Sequence, residues 1–169
     1  MRRYFFILYA ITLLLSCSKK DDSNNPKSYY FKFKANGILK QYFITGSFFY
    51  NETDCLLGGT ADSITYNSIA IDLITDSKIK ADTTYTETQK TPAPIPYYPK
   101  CYIRLADNFP YYNYSSWIST PAGPDIYDCT VTILELDTKH VKGRFSGKVS
   151  TETGSAFIII TDGEFNVKR

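Results

Sequence analysis

Residues 140–169 read HVKGRFSGKVSTETGSAFIIITDGEFNVKR, and their pattern decides the fold. Val141, Phe145 and Val149 alternate with Lys142, Arg144 and Lys148, the period-two arrangement of a strand with one buried and one wet face. Residues 152–154 turn the chain. In the return, Phe157, Ile159, Phe165 and Val167 share a parity that predicts one common buried face. Just upstream, CTVTILELD (129–137) is strand-like and DTKH (137–140) is a turn, so the C-terminal third predicts a meander of three antiparallel strands. Val131 and Ile133 point one way while Leu134 and Leu136 point the other, which predicts either a β-bulge or a strand covered on both faces.

The same alternation recurs toward the N-terminus. YYFKFKA (29–35) sets Tyr29, Phe31, Phe33 and Ala35 against Tyr30, Lys32 and Lys34. Asn36 and Gly37 then give a hairpin signal, because both tolerate the positive φ of a type I′ turn, and ILKQYFI (38–44) forms the return strand. Short strands are expected at 48–50, 55–58 and TYT (84–86), with a central one in SIAIDLIT (68–75) that puts Ile69, Ile71 and Leu73 on one face. No sustained helical period follows Cys17. The fold class is all-β, an antiparallel β-sandwich with a small β-barrel as the alternative, interrupted by a Pro- and aromatic-rich insertion.

The first residues have a different grammar. Met1, Arg2 and Arg3 precede the apolar run YFFILYAITLLL (4–15) and the small Ser16, the layout of a secretory signal peptide too short to span a bilayer as a helix. With Leu14, Leu15 and Ser16 before it, Cys17 resembles the lipobox cysteine of bacterial lipoproteins. That resemblance implies cleavage before Cys17 and acylation there, since two or three chains give lasting attachment where one does not. The charged run Ser18, Lys19, Lys20, Asp21, Asp22 resembles the lipoproteins of Bacteroidetes exported to the outer face of the outer membrane, and SNNPKS (23–28) is a polar linker.

A strand ending in Asn36-Gly37, a central strand near Ile74, the TYT strand and the tail VKGRFSGKV followed by IIITDGEFNV are similar to a family of small Bacteroidetes surface lipoproteins with no settled activity. The resemblance implies location and fold, and it carries no site residues with it. The expected organisation is a lipoprotein signal peptide (1–16), the lipidated Cys17 with a polar tether (17–27), and one all-β domain (28–169). The expected partner is a membrane, through the lipid anchor, with the domain facing outward.

Without Arg2 and Arg3, 17 basic residues balance 17 acidic ones, and no Lys/Arg cluster longer than a pair remains, so no nucleic-acid partner is expected. Export exposes Cys55, Cys101 and Cys129 to an oxidising compartment, but three cysteines leave one over. A Cys101–Cys129 bridge closes a 28-residue span and Cys55–Cys101 a 46-residue span. Each is worth roughly 3 to 4 kcal/mol on the chain-entropy model, so energy does not choose. Cys101 with Cys129 is the preferred pair because each lies in a strand-like segment flanking the insertion. Three reduced, buried thiols are the alternative.

Seven of the eight prolines fall between Pro92 and Pro124, so long regular ladders are not expected there apart from a strand near 102–105. Within residues 97–117 stand eight aromatics, more than twice the 16% average of the chain. Tyr97, Tyr98, Tyr111, Tyr112, Tyr114 and Trp117 are therefore candidate ligand-binding residues, with flat apolar bodies and polar tips suited to sugar faces or a protein partner. The competing expectation is a lid whose rings pack over a sheet end.

Recognisable catalytic chemistry is sparse. His140, the only histidine, sits in a turn, which disfavours a Ser-His-Asp or Cys-His site. The cysteines are too far apart in sequence for a zinc knuckle, and neither a phosphate loop nor an EF-hand is present, so no metal and no cofactor are expected. Carboxylate pairs such as Asp125 with Asp128, or Glu135 with Asp137, read more readily as turn residues than as an acid–base pair. Asp62-Ser63-Ile64 and Asp82-Thr83-Thr84 resemble a short Bacteroidetes O-glycosylation motif. The expected function is a non-enzymatic surface lipoprotein binding a glycan or protein, ahead of an envelope-assembly component and, remotely, a carboxylate hydrolase.

Overall fold

The computed structural model describes residues 29–61, 67–90, 93, 97–107, 113–120 and 123–169. The signal peptide, Cys17 and its tether, Tyr111, Tyr112 and Asp62-Ser63-Ile64 lie outside them.

β1 (Tyr30–Ala35) buries Phe31, Phe33 and Ala35 and exposes Lys32 and Lys34, as its alternation predicts. Asn36 (φ 48°) and Gly37 (φ 83°) make the tight turn into β2 (Ile38–Tyr42). The expected single strand 38–44 breaks at Phe43, where β3 (Ile44–Phe49) leaves β1 and pairs with β4 (Asp54–Thr60) instead. β5 (Ser68–Ile74) and β6 (Thr83–Glu87) follow. The insertion contributes β7 (Cys101–Ala106) and three short strands, β8 (Asn113–Ser115), β9 (Trp117–Thr120) and β10 (Gly123–Ile126). The meander β11 (Cys129–Leu136), β12 (His140–Thr151) and β13 (Phe157–Lys168) closes the chain.

Among the described residues, the main sheet is antiparallel and runs β2-β1-β13-β12-β8-β7-β5-β4-β3, while β9 and β10 form a separate ribbon. Its two end strands are separated in the chain by Phe43 alone, so the sheet curls until the ends meet through one bent strand. Ser47 Oγ donates to the Lys168 carbonyl at 3.0 Å, tying β3 back to β13. The all-β expectation holds, as one nearly closed, barrel-like sheet that either the sandwich or the small-barrel description fits. The sheet forks at β12. The part of that strand up to Gly147 pairs with β11, which carries β6 on its far edge, whereas Ser150 and Thr151 pair with β8.

Two irregularities reset the side-chain parity. In β11 the register shifts between Ile133 and Glu135, so the predicted irregularity is a bulge. In β13 the left-handed Asp162 (φ 53°) marks a bulge against both neighbouring strands. The expected shared face of Phe157, Ile159, Phe165 and Val167 is thereby corrected. Phe165 and Val167 are buried, but beyond the bulge it is Ile158 and Ile160 that point inward, leaving Phe157 and Ile159 exposed. A one-residue slip turns a side chain to the other face, and the bulge supplies the slip.

Inside, Phe31 stacks on Phe165 at 5.6 Å and meets the edge of Phe145 at 5.8 Å, with Phe33 tilted against Phe145 at 5.8 Å. Burying each such ring contributes roughly 1.5 to 3 kcal/mol. Space for them comes from strand glycines. A Cβ on Gly163 would stand 2.3 Å from the Phe145 carbonyl oxygen, and one on Gly143 would stand 2.4 Å from Phe165 Cζ. Gly163→Ala is expected to lower unfolding stability by about 1 to 3 kcal/mol through overpacking. By contrast, Gly46→Ala, whose Cβ meets nothing within 4 Å, should leave urea denaturation unchanged or stabilise by up to about 1 kcal/mol. Equal losses in the two variants would contradict this account of the core.

Candidate functional site

The alternation of β4, β5 and β7 buries Cys55, Leu57, Ile69, Ile71, Leu73, Ile103 and Leu105, and one row across the outer face is made mostly of small residues. Read across the strands, Gly46 lies opposite Gly58, Gly58 opposite Ala70, Ala70 opposite Arg104, and Arg104 opposite Ser115. Four interstrand steps of about 4.8 Å make this row about 19 Å long. Two depressions share its middle at Ser68 and Ala70. One of about 480 Å³ lies over β3, β4 and β5, between Ile44 and Phe48, and one of about 370 Å³ lies over β5, β7 and β8, beside Arg104 and Asn113. Together they form a shallow trough across the outside of the sheet.

Gly46 and Gly58 have no evident reason to be glycine within the fold. Neither has a left-handed backbone, and an added Cβ would meet nothing at Gly46 and only the Ile69 carbonyl oxygen, at 3.9 Å, at Gly58. Gly59, Gly143, Gly147 and Gly163 differ, since each lies under a ring or a carbonyl that a Cβ would strike. Glycine within a strand costs roughly 0.5 to 1 kcal/mol relative to alanine and often marks a place where something approaches the backbone closely.

The trough is edged by flat groups. At one end the exposed Phe48 and Tyr50 pack edge to face at 4.7 Å. Toward the other, Tyr102 and Trp117 do the same at 5.3 Å, and the Arg104 guanidinium lies 5.8 Å from the Tyr102 ring. Arg104 is held by Asp72, whose Oδ2 accepts from Nε at 3.1 Å and from Nη2 at 2.9 Å. Burial pushes the Asp72 carboxyl up, and the Arg104 charge opposes that shift. The outcome is a planar cation fixed in place, half-exposed, beside the row of small residues.

The aromatic candidates in the insertion separate into different roles. Tyr97 is anchored. Its hydroxyl donates to Glu87 Oε2 at 2.6 Å and accepts from Lys90 Nζ at 2.7 Å, while Glu87 Oε1 accepts the Lys100 backbone N–H at 2.9 Å. Glu87 is only 3% exposed, so this network fastens the insertion to β6. Burial is the main cause of the raised Tyr97 pKa, and the bond to Tyr97 is the main cause of the raised Lys90 pKa. Tyr114 packs against the hydrophobic core, Trp117 is partly buried against Tyr102, and Tyr98 is 72% exposed. Among these rings Tyr97 and Tyr98 do not line the trough, Tyr114 lines its 370 Å³ depression while packing on the core, and Trp117 packs on Tyr102, two residues from Arg104. Sequence reasoning passed over Gly46, Gly58, Asp72 and Arg104 as site residues. The available signal was two glycines in strand-like stretches with no turn to explain them.

The acidic candidates have structural partners. Glu135 accepts from Lys142 Nζ at 2.8 Å and lies 3.2 Å from His140 Nε2, and Asp137 accepts the backbone N–H groups of Lys139 and His140. Both carboxyls are exposed and held low, Glu135 chiefly by Lys142 and Asp137 chiefly by the Lys139 N–H. Asp128 accepts the Gln89 N–H at 2.8 Å, and Asp125 lies in β10. In the Asp82-Thr83-Thr84 motif, the Thr84 hydroxyl is 3.0 Å from that of Thr132. Cys55, Cys101 and Cys129 are free thiols, all buried, in this structure.

No family model, curated protein or solved structure matches the chain.

Proposed function

We propose that this is an exported, lipid-anchored protein whose β-domain binds an extended glycan along the trough and performs no reaction on it. The observation that carries the reading is the Gly46–Gly58–Ala70 row, flat and open where the fold itself does not require glycine at its first two positions. A saccharide presents alternating C–H faces and hydroxyls. The first suit the rings of Phe48 and Tyr114, and the second suit the hydroxyls of Thr60, Ser68 and Ser115, the Asn113 amide and the Arg104 guanidinium. A rigid sheet floor with an ion-paired arginine lowers the ordering cost of binding. No reaction is proposed because Glu135 and Asp137, the carboxylate pair offered by the sequence, do not line the trough and are held in turn contacts by Lys142 and by the backbone N–H groups of Lys139 and His140. A protein partner is the second reading, favoured by the exposure of Ile44 (54%) and Phe48 (58%) at the trough's edge.

On an array of neutral and acidic oligosaccharides, the chain from Ser18 onward is expected to retain a glycan. Gly58→Val, which pushes a branched side chain into the trough, should weaken retention at least about tenfold, or ~1.4 kcal/mol, with the melting temperature unchanged or raised. Tyr98→Ala should leave retention intact. Binding that survives Gly58→Val and disappears in Tyr98→Ala would move the site to the insertion, and an array with no retained glycan would favour the protein partner.

The anchor has its own test in intact cells. Cys17→Ala should abolish palmitate labelling and release the protein from the membrane fraction, and external protease should remove the domain from cells carrying the native chain. A Cys17→Ala protein still fully labelled would overturn the lipoprotein reading.

A further inference from the structure

The fork at β12 leaves a seam between two branches of the sheet. β7 pairs with β5 on one edge, and on the other with β8 only from Arg104 to Ala106. Below Arg104, β7 instead faces β6 and β11, with which it shares no ladder. Side chains and single backbone bonds stitch that gap. Ser116 Oγ accepts the Ile103 N–H at 2.9 Å, and Glu87 Oε1 accepts the Lys100 N–H at 2.9 Å. Cys101 Sγ lies 3.5 Å from the Cys129 carbonyl oxygen and 3.6 Å from that of Tyr85. Cys101 Sγ thus stands against residue 129 itself, the two thiols hydrogen-bond across the seam, and that bond followed by burial holds the Cys129 thiol above its ordinary pKa.

We propose that Cys101 and Cys129 are a disulfide site that locks this seam, with Cys55 as the thiol left over. Register excludes the rival pair. Cys55 lies opposite Leu73, and Leu73 opposite Cys101, so two interstrand steps separate Cys55 from Cys101. That is about 9 to 10 Å, past the ~7 Å limit for Cα atoms joined by a disulfide.

Cys101 and Cys129 are both 0% exposed, so the bond forms while the chain is folding, before β7 docks on β11. One cysteine thiolate attacks the disulfide of a dithiol–disulfide oxidant, giving a mixed disulfide and expelling one oxidant thiolate. The second cysteine thiolate then attacks the protein's sulfur in that mixed disulfide and expels the other. Two protons and two electrons leave the protein thiols, and the oxidant's disulfide becomes a dithiol. That such an oxidant meets the chain in the cell rests on the export reading, whereas the pairing itself does not.

The test refolds the urea-denatured chain from Ser18 onward, which leaves out Cys17, in a glutathione redox buffer and, in parallel, in dithiothreitol. In glutathione the intact mass should fall by two hydrogens, with Cys101 and Cys129 peptides linked, Cys55 alone alkylated after denaturation, and the urea midpoint shifted upward. Cys55→Ser should keep the bridge, and Cys129→Ser should lose it. Because Cys129→Ser disturbs a buried position, the peptide map of the unsubstituted chain decides. Three alkylated thiols after oxidative refolding, or a bridge containing Cys55, would overturn the proposal. A bridge that forms on refolding while protein extracted from intact cells shows three thiols would count against export and leave the pairing standing.

Discussion

The packing of Phe31, Phe145 and Phe165 against one another is the constraint on which the rest of the structure depends. Three rings from three adjacent strands can meet within about 6 Å only if the strands beneath them give up side chains, and Gly143 and Gly163 do so. Interior packing tolerates neither a void nor an extra methyl at such a point. The same region carries the β13 bulge at Asp162, which bends the sheet and reverses side-chain parity beyond it. Curvature there, together with the bent strand through Phe43, brings β3 round to β13 and sets the outer faces of β3, β4, β5 and β7 side by side.

Glycine thus serves opposite purposes on the two faces of one sheet. Inside, it is demanded by neighbours that leave no room for a Cβ. Outside, at Gly46 and Gly58, it is demanded by nothing within the fold, and its cost in strand stability is uncompensated unless something else occupies the space. The polar groups of the trough are equally committed in advance, because Asp72 fixes Arg104 before any ligand arrives. A floor of Gly46, Gly58 and Ala70 beside a pre-positioned planar cation suits the proposed recognition of a flat, polar, extended molecule.

What could be read in advance follows the range over which each signal acts. The alternation of β1, the Asn36-Gly37 turn and the β11–β12–β13 meander are local patterns, and each is where its residues indicate. The burial of Ile158 and Ile160 in place of Phe157 and Ile159 was not legible, because it depends on how β13 slips against two partners. Nor was the break at Phe43, which lacks any glycine or proline and answers only to where β1 and β4 lie. The trough is built in register from five strands, and no window of sequence contains it. The aromatic density of the insertion was legible as composition but not as placement, since Glu87, buried elsewhere in the chain, is what takes Tyr97 out of contention.

The most direct measurement of the central claim is a titration of the nitrogen-labelled chain with a soluble oligosaccharide pool, followed by its amide spectrum. The account predicts progressive shifts at the amides of Gly46, Gly58, Ala70 and Arg104, on four different strands, while the core amides of Phe145 and Phe165 stay still. Shifts confined to Tyr98 and its neighbours, or a spectrum unchanged at saturating sugar, would contradict it.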